Sequence, residues 1–173
     1  MRLGLDARGD QNDEDAMKRE ALGRSRGGLS TKLHVVCDSK GTPLGMAISA
    51  GQTHESICFE TAMKAVRLEG LPAAMAGDKG YSTRRVRTWL SDRAVKDVIP
   101  YKCNEHPPKG HRFNKKAYRK RNVVERLIGW LKECRRIATR FEKRGKYFLA
   151  MLKLATIRRL LRVASRLEFA DRP

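Results

Sequence analysis

The sequence predicts a mixed α/β domain, and three observations carry that prediction. The hydrophobic period is two in the stretch Thr31–Asp38 and close to three and a half in the stretch that begins at Lys115, so strand and helix signals both occur. Short apolar runs at Pro72–Ala76 and Val95–Pro100 alternate with helical patterns, as in folds that interleave strands and helices. A chain of 173 residues, 40% hydrophobic and 33% charged, is long enough for one domain with a proper core and too apolar to be disordered throughout.

Taken in order, residues 1–22 are polar and mostly acidic after a short start, and are expected to be a poorly ordered N-terminal remnant. The domain proper is expected over residues 23–168. Gly23–Gly28 (GRSRGG) reads as a flexible basic turn, and Thr31–Asp38 as a strand rich in β-branched residues. Ser39–Thr42 is a turn and Pro43–Ala50 the returning strand, which makes a hairpin. His54–Glu69 carries Ile57, Ala62, Met63, Val66 and Leu68 at helical spacing, with His54 as a helix cap. Pro72–Ala76 is a buried strand that ends at Gly77-Asp78-Lys79-Gly80-Tyr81, and Ser82 caps a helix running to about Arg93. Val95–Pro100 is a further strand. One long helix from Lys115 to about Arg140 follows a polar loop, and a second spans Lys146–Leu167 with a broad apolar face. Trp89 and Trp130 are expected in core or interface positions.

Charge narrows the partner. The chain carries 38 Lys and Arg against 19 Asp and Glu, net +19. Up to Pro100 there are 16 basic and 13 acidic residues, and beyond it 22 and 6, so the excess belongs to the C-terminal part. So one-sided a field attracts polyanions, above all nucleic acid. Cys37, Cys58, Cys103 and Cys134 form no CxxC pair, which gives a structural zinc site poor support. No signal peptide or membrane span is evident, and the cytoplasm, in contact with DNA, is the expected setting.

The most informative stretch is AYRKRNVVERLIGWLKECRR. At about 100° per residue, Tyr118, Arg121, Glu125 and Lys132 fall at roughly 0°, 300°, 340° and 320° of a helix. A carboxylate therefore shares one stripe with two cations and a phenol, while Val124, Leu127, Leu131 and Ala138 lie on a neighbouring face. Taken alone, this reads rather as a solvated stripe with an Arg121–Glu125 pair. The spacing nevertheless resembles the signature Tyr, two residues, Arg, three residues, Glu, six residues, Lys. That signature surrounds the last catalytic acid of one large group of bacterial insertion-sequence transposases of the DDE type. CRRIATRFEK and GRSRGGLSTKLHVVCD are also similar to that group, and the resemblance runs from about Gly23 to Leu161.

The resemblance implies a ribonuclease-H-like mixed sheet flanked by helices. It implies Asp78, in the GDKGY segment, as the second catalytic acid and Glu125 as the third, both ligands of Mg²⁺, with Mn²⁺ as a substitute. Without the resemblance, Asp78 is as readily a turn residue bonded to its own backbone. Carboxylates suit the implied chemistry, because Mg²⁺ seeks oxygen ligands and two such ions can clamp the attacking and leaving oxygens of a phosphodiester. The implied activity is metal-dependent phosphodiester cleavage and strand transfer. Its DNA partners are transposon terminal inverted repeats and target DNA. Arg121 would steady Glu125 or a phosphate, Lys132 would contact DNA near the transposon end, and Tyr118 would stack on a base or bond a phosphate. Arg135, Arg136 and Arg140 lie in a basic run that suits phosphate contacts.

The group's first acid normally lies in a D-[ST]-T-like segment on the first strand, and no such segment occurs in this chain. Asp6, 17 residues before Gly23, is the one stand-in, and no strand-like run precedes it. The first strand is therefore expected to be missing or incomplete, the reading frame truncated, split or frameshifted, and strand transfer by this chain alone weak. The rival is a catalytically inactive DNA-binding or interaction remnant that joins further copies of itself or a full-length transposase. A basic protein of ribosomal type would account for the charge but not for Asp78 and Glu125 in these surroundings.

Overall fold

The computed structural model describes residues 19–25, 28–67 and 70–170. The elements in chain order are β1 (Gly23–Ser25), β2 (Gly28–Cys37), β3 (Pro43–Ala50), a 3-10 turn at Glu55–Cys58, α1 (Phe59–Lys64), β4 (Ala74–Ala76), a second 3-10 turn at Lys79–Tyr81, α2 (Arg84–Ser91), β5 (Lys96–Val98), α3 (Lys115–Arg119), α4 (Asn122–Glu133), α5 (Arg135–Ala138) and α6 (Gly145–Ala170). Among the described residues the strands form two sheets, an antiparallel one in the order β1-β2-β3 and a parallel pair β4-β5.

The predicted α/β class holds, with local differences. The strand expected to be buried over Pro72–Ala76 is the shorter β4, in which Ala74 and Ala76 are exposed and Met75 is half-buried, because no described element covers those alanines. Gly23–Gly28, expected as a flexible turn, contributes β1, whose residues Gly23 and Arg24 pair with Ser30 and Leu29 of β2. The helix expected over His54–Glu69 is shorter. A 3-10 turn precedes it and α1 ends at Lys64, with Glu69 outside the described residues. The single helix expected from Lys115 to Arg140 is three. The Lys120 and Arg121 amides bond three residues back, to Ala117 and Tyr118, which tightens and ends α3. Cys134, at φ −74° and ψ 99°, leaves helical geometry and separates α4 from α5.

The chain divides into two compact units, and β2, β3 and α4 each contribute to both. One unit gathers His34–Ala47 and His54–Gly129. The other gathers the described residues up to Leu33, Ile48–Thr53 and those from Trp130 onward.

In the first unit the apolar faces of α1 and α2 meet β5. Phe59, Met63, Val86, Leu90, Val95 and Ile99 form the core, and Val36, Met75, Tyr81 and Trp89 pack against it. Trp89 meets Phe59 edge to face at 5.2 Å, the core role its helical position predicts. Thr83, not Ser82, caps α2 by accepting the Val86 N–H. Ser82 is fully buried instead. It donates to the Glu105 carboxylate and accepts from Arg87 at 2.8 Å. Arg87 also binds Asp97 of β5 and the Ile99 carbonyl (3.1 Å) and lies 3.6 Å from the Tyr101 ring centre. Burial alone would push the Glu105 carboxyl up. Hydrogen bonds from Ser82 and Lys102, with the Arg87 and Lys102 charges, outweigh it and hold Glu105 below its ordinary range. The β2–β3 turn needs Gly41, which sits at φ +84° while its amide bonds the Asp38 carbonyl.

In the second unit, Leu131, Ile137, Phe148 and Leu152 are buried. Arg140, itself at φ 45°, donates to the carbonyls of Glu20, Ala21, Glu142 and Lys143 and to the Thr31 hydroxyl. Helix α6 keeps one side buried but leaves Leu154, Ile157 and Leu161 exposed.

Candidate active site

The first unit holds both expected acids. Asp78 follows β4 after Gly77, whose amide still bonds the Val98 carbonyl of β5 at 3.4 Å and whose position beside Ile99 leaves little room for a side chain. A Cβ on Gly77 would lie 3.2 Å from Ile99 Cγ1. The Asp78 carboxylate is exposed, and its Oδ1 accepts the Lys79 N–H at 2.6 Å as the cap of the second 3-10 turn. Such a cap is compatible with either a turn residue or a metal ligand, because it leaves carboxylate oxygen accessible.

Helices α3 and α4 bring three of the four stripe residues together despite the break between them. Arg121 sits in the connecting turn. Its Nη2 binds Glu125 Oε1 at 2.6 Å, and its guanidinium lies 5.3 Å from the Tyr118 ring centre. Tyr118 in turn packs on Phe113 at 5.3 Å. The Arg121 side chain is 21% exposed and that of Glu125 57%, so the carboxylate faces solvent while its cation is half sheltered. Lys132 stands seven residues beyond Glu125 on α4, exposed, in the stretch that belongs to the other unit.

Gly77, next to Asp78, and Arg121, of the Tyr118–Arg121–Glu125 cluster, line one cavity. Its volume is about 1080 Å³, and its lining also includes Asp38 and Lys120. Asp38 is the turn residue its position predicts. Burial favours its protonated form, but the amides of Thr42, Lys40 and Gly41 outweigh this and hold the carboxyl below its ordinary value. Tyr81 lies between these groups and the core. Burial, then the negative fields of Glu55, Cys58 and Asp78, push its phenol up to about 12, so it stays a protonated hydroxyl, 3.0 Å from His34 Nδ1. His54 caps the 3-10 turn before α1, as expected, by accepting the Ser56 N–H.

Asp78 and Glu125 fit a hard, oxygen-seeking cation, since both carboxylates are exposed and neither is buried in an ion-pair network. Among the described residues no group of three or more His, Cys, Asp or Glu side chains could hold a metal ion. Asp6 lies outside the described residues.

A family model described as a transposase DDE domain matches residues 6–160. The chain belongs to the DDE transposases of bacterial insertion sequences. It is 32% identical, over 132 residues, to a Burkholderia cepacia protein named as transposase for insertion sequence element IS402. That match covers 72% of this chain and 59% of the relative. It is 28% identical, over 127 residues, to a Brucella ovis protein named as transposase for insertion sequence element IS6501, a match covering 73% of this chain and 95% of the relative. The chain thus spans little more than half the length of the first of these relatives.

Within this DDE transposase, the basic residues expected to meet DNA fall into two groups. Lys132, Arg135 and Arg136 are exposed. Arg140 departs from the expectation. Its donors are taken up by main-chain carbonyls and Thr31, so it serves the fold and has no hydrogen left for a phosphate. The Ser82–Glu105–Arg87 network was not legible in the sequence, because Glu105 sits in a polar loop without periodicity. No helix among the described residues is long and apolar enough to cross a membrane.

Proposed function

We propose that this chain is the catalytic-domain portion of an insertion-sequence transposase that cleaves phosphodiesters and transfers strands at the element's ends. The observation that carries the reading is the Tyr118–Arg121–Glu125 cluster, whose Arg121 lines the same cavity as Gly77, the neighbour of Asp78. The β1-β2-β3 and β4-β5 sheets are read as parts of one ribonuclease-H-like arrangement. Asp78 and Glu125 would hold the divalent ion, Mg²⁺ in the first instance and Mn²⁺ as a substitute. When bound, that ion lowers the pKa of water and offsets charge building on the phosphate. Arg121 holds Glu125 in one orientation and offers its remaining donors to a phosphate oxygen. Tyr118, held by Phe113 and Arg121, presents a ring for stacking or a hydroxyl for a phosphate. Lys132, Arg135 and Arg136 supply sequence-independent phosphate contacts.

The test is cleavage of labelled terminal inverted repeats by the purified chain with Mg²⁺ or Mn²⁺. Cleavage lost in Asp78→Asn and Glu125→Gln supports the reading, and the same cleavage in both variants refutes it. A second reading, a DNA-binding remnant without catalysis, is favoured by one observation: the described residues bring no third acid to Asp78 and Glu125. If the chain binds the repeats without cutting them, this second reading stands. If Asp6→Ala abolishes cleavage that the unaltered chain performs, Asp6 is the group's first acid.

A further inference from the structure

Between β5 and α3 the chain runs through residues 99–114 without helix or strand, yet both ends of this segment are tied to the elements that carry the two acids. Near its start, Glu105 accepts hydrogen bonds from the Ser82 hydroxyl and, at 3.2 Å, from the Lys102 amide. Ser82 is fully buried and closes the 3-10 turn that Asp78 opens, its own amide bonding the Lys79 carbonyl at 3.0 Å. Lys79 adds a second tie by reaching Cys103 Sγ at 3.7 Å. Arg87 holds the same corner from α2, donating to Ser82 and to the Ile99 carbonyl and lying over the Tyr101 ring. Tyr101 meets His111 edge to face at 5.0 Å, which links the two ends of the segment. At the far end Asn114 caps α3 by accepting the Ala117 amide at 2.9 Å. Phe113 packs there on Tyr118, which lies beside Arg121, the partner of Glu125.

We propose that Glu105 is a positioning residue: through Ser82 it fixes the Asp78 turn to the segment that also steadies the Glu125 cluster, and so sets the placement of the two carboxylates. The inference rests on the reading of Asp78 and Glu125 as ligands of a divalent ion. Mg²⁺ demands near-octahedral oxygen ligands at about 2.0–2.1 Å, so the acids must be held to within about 0.5 Å. Neither acid has that rigidity by itself. The Asp78 carboxylate is exposed beside a turn of three residues, and the Glu125 side chain is 57% exposed and held by one cation. Glu105 suits an anchor, because one carboxylate oxygen takes both a hydroxyl and a main-chain amide. The neighbouring Arg87 and Lys102 charges favour its ionised form. Its action is indirect, since no three His, Cys, Asp or Glu side chains among the described residues come together to hold a metal ion.

Two measurements on the full chain provide the test: Mn²⁺ binding, followed by loss of the free-ion electron paramagnetic resonance signal, and hydrogen exchange without any ion. Glu105→Ala should weaken Mn²⁺ binding about 10–100-fold, the effect of losing a partner that orients a ligand. Glu105→Gln keeps an acceptor for Ser82 and Lys102 and should restore most of the affinity. Ser82→Ala should reproduce the loss, and the double variant should lose no more than either single one. Without the ion, Glu105→Ala should quicken exchange at the Tyr81 and Ser82 amides, which bond the Asp78 and Lys79 carbonyls. It should also quicken exchange at the Arg121 and Val124 amides beside Glu125. Quickening confined to Tyr81 and Ser82 overturns the proposal, because Glu105 would then steady its own corner alone. A Glu105→Gln loss as complete as that of Asp78→Asn also overturns it, by making Glu105 a ligand. If Glu105→Ala does not fold, Ser82→Ala decides, and parental affinity there overturns the proposal. Asp78→Asn binding Mn²⁺ as the parent does, or a parent that binds none, overturns the ligand reading and this inference with it. Loss in Asp78→Asn beside parental affinity in Glu105→Ala overturns this inference alone.

Discussion

Glu125→Gln separates a catalytic acid from a decorative surface pair. The Arg121–Glu125 bridge is an (i,i+4) pair whose side chains are 21% and 57% exposed. Such pairs contribute only about 0.3–0.5 kcal/mol, and glutamine keeps an acceptor oxygen for Arg121. In a chain of 173 residues each kcal/mol moves Tm by about 2–4 °C, so the variant should melt within about 2 °C of the parent. Activity should respond quite differently. Losing a partner that merely orients a metal ligand costs about 10–100-fold, so losing a ligating carboxylate should cost more than that in Mg²⁺-dependent cleavage. Differential scanning calorimetry and single-turnover cleavage of labelled inverted repeats give the two readings. A Tm fall beyond about 5 °C with a matching loss of activity would make Glu125 a structural residue. Unchanged cleavage would remove it from the site.

Two further outcomes test the electrostatics. Lys132→Ala, Arg135→Ala and Arg136→Ala should each flatten the dependence of log binding constant on log salt by about 0.9 for every phosphate no longer neutralised, measured by filter binding from about 50 to 200 mM salt. Glu105 is held below its ordinary pKa, so its contribution to stability is complete above the unfolded-state value and fades as pH falls through the lower folded value. Urea melts at descending pH should show that fading below about pH 4.5, and Glu105→Gln should be weaker at neutral pH with a shallower acid decline.

Much of the first unit was legible because its signals are local. The strand signal of Thr31–Asp38, the hairpin turn after it and the Tyr118–Glu125 spacing each depend on a handful of neighbouring residues, whereas the run before Asp78, expected to be buried, is exposed at Ala74 and Ala76. The break at Lys120–Arg121 was not legible. The apolar repeat continues across it, and the decision lies with amides that bond three residues back. Yet the stripe survives, because Arg121 reaches Tyr118 from one side of the break and Glu125 from the other. β1 was hidden by the glycines and arginines of the GRSRGG stretch, which signal a turn, while its pairing depends on Leu29 and Ser30 beyond that turn.

Arg140 shows that a basic run cannot be assigned to DNA by charge alone. Its guanidinium serves four carbonyls and one hydroxyl, and burial, only partly offset by the Glu20 charge, pushes its pKa down. A residue gathering phosphate would keep its donors in water and its pKa undisturbed. Hydrogen bonds to a charged group contribute about 1.5–3 kcal/mol, and several carbonyls share this one cation. Arg140→Met should therefore cost about 2–4 kcal/mol, a fall of roughly 5–15 °C in Tm. Arg140→Lys should fall nearly as far, since one ammonium cannot reach acceptors arranged for a planar fork. Both variants should bind DNA, while still folded, with the salt slope of the parent. Lys132→Ala should behave in the opposite way, with Tm kept and slope reduced. If Arg140→Lys retained stability but lost affinity, the carbonyl clamp would be incidental, and Arg140 would return to the DNA-contacting group with Arg135 and Arg136.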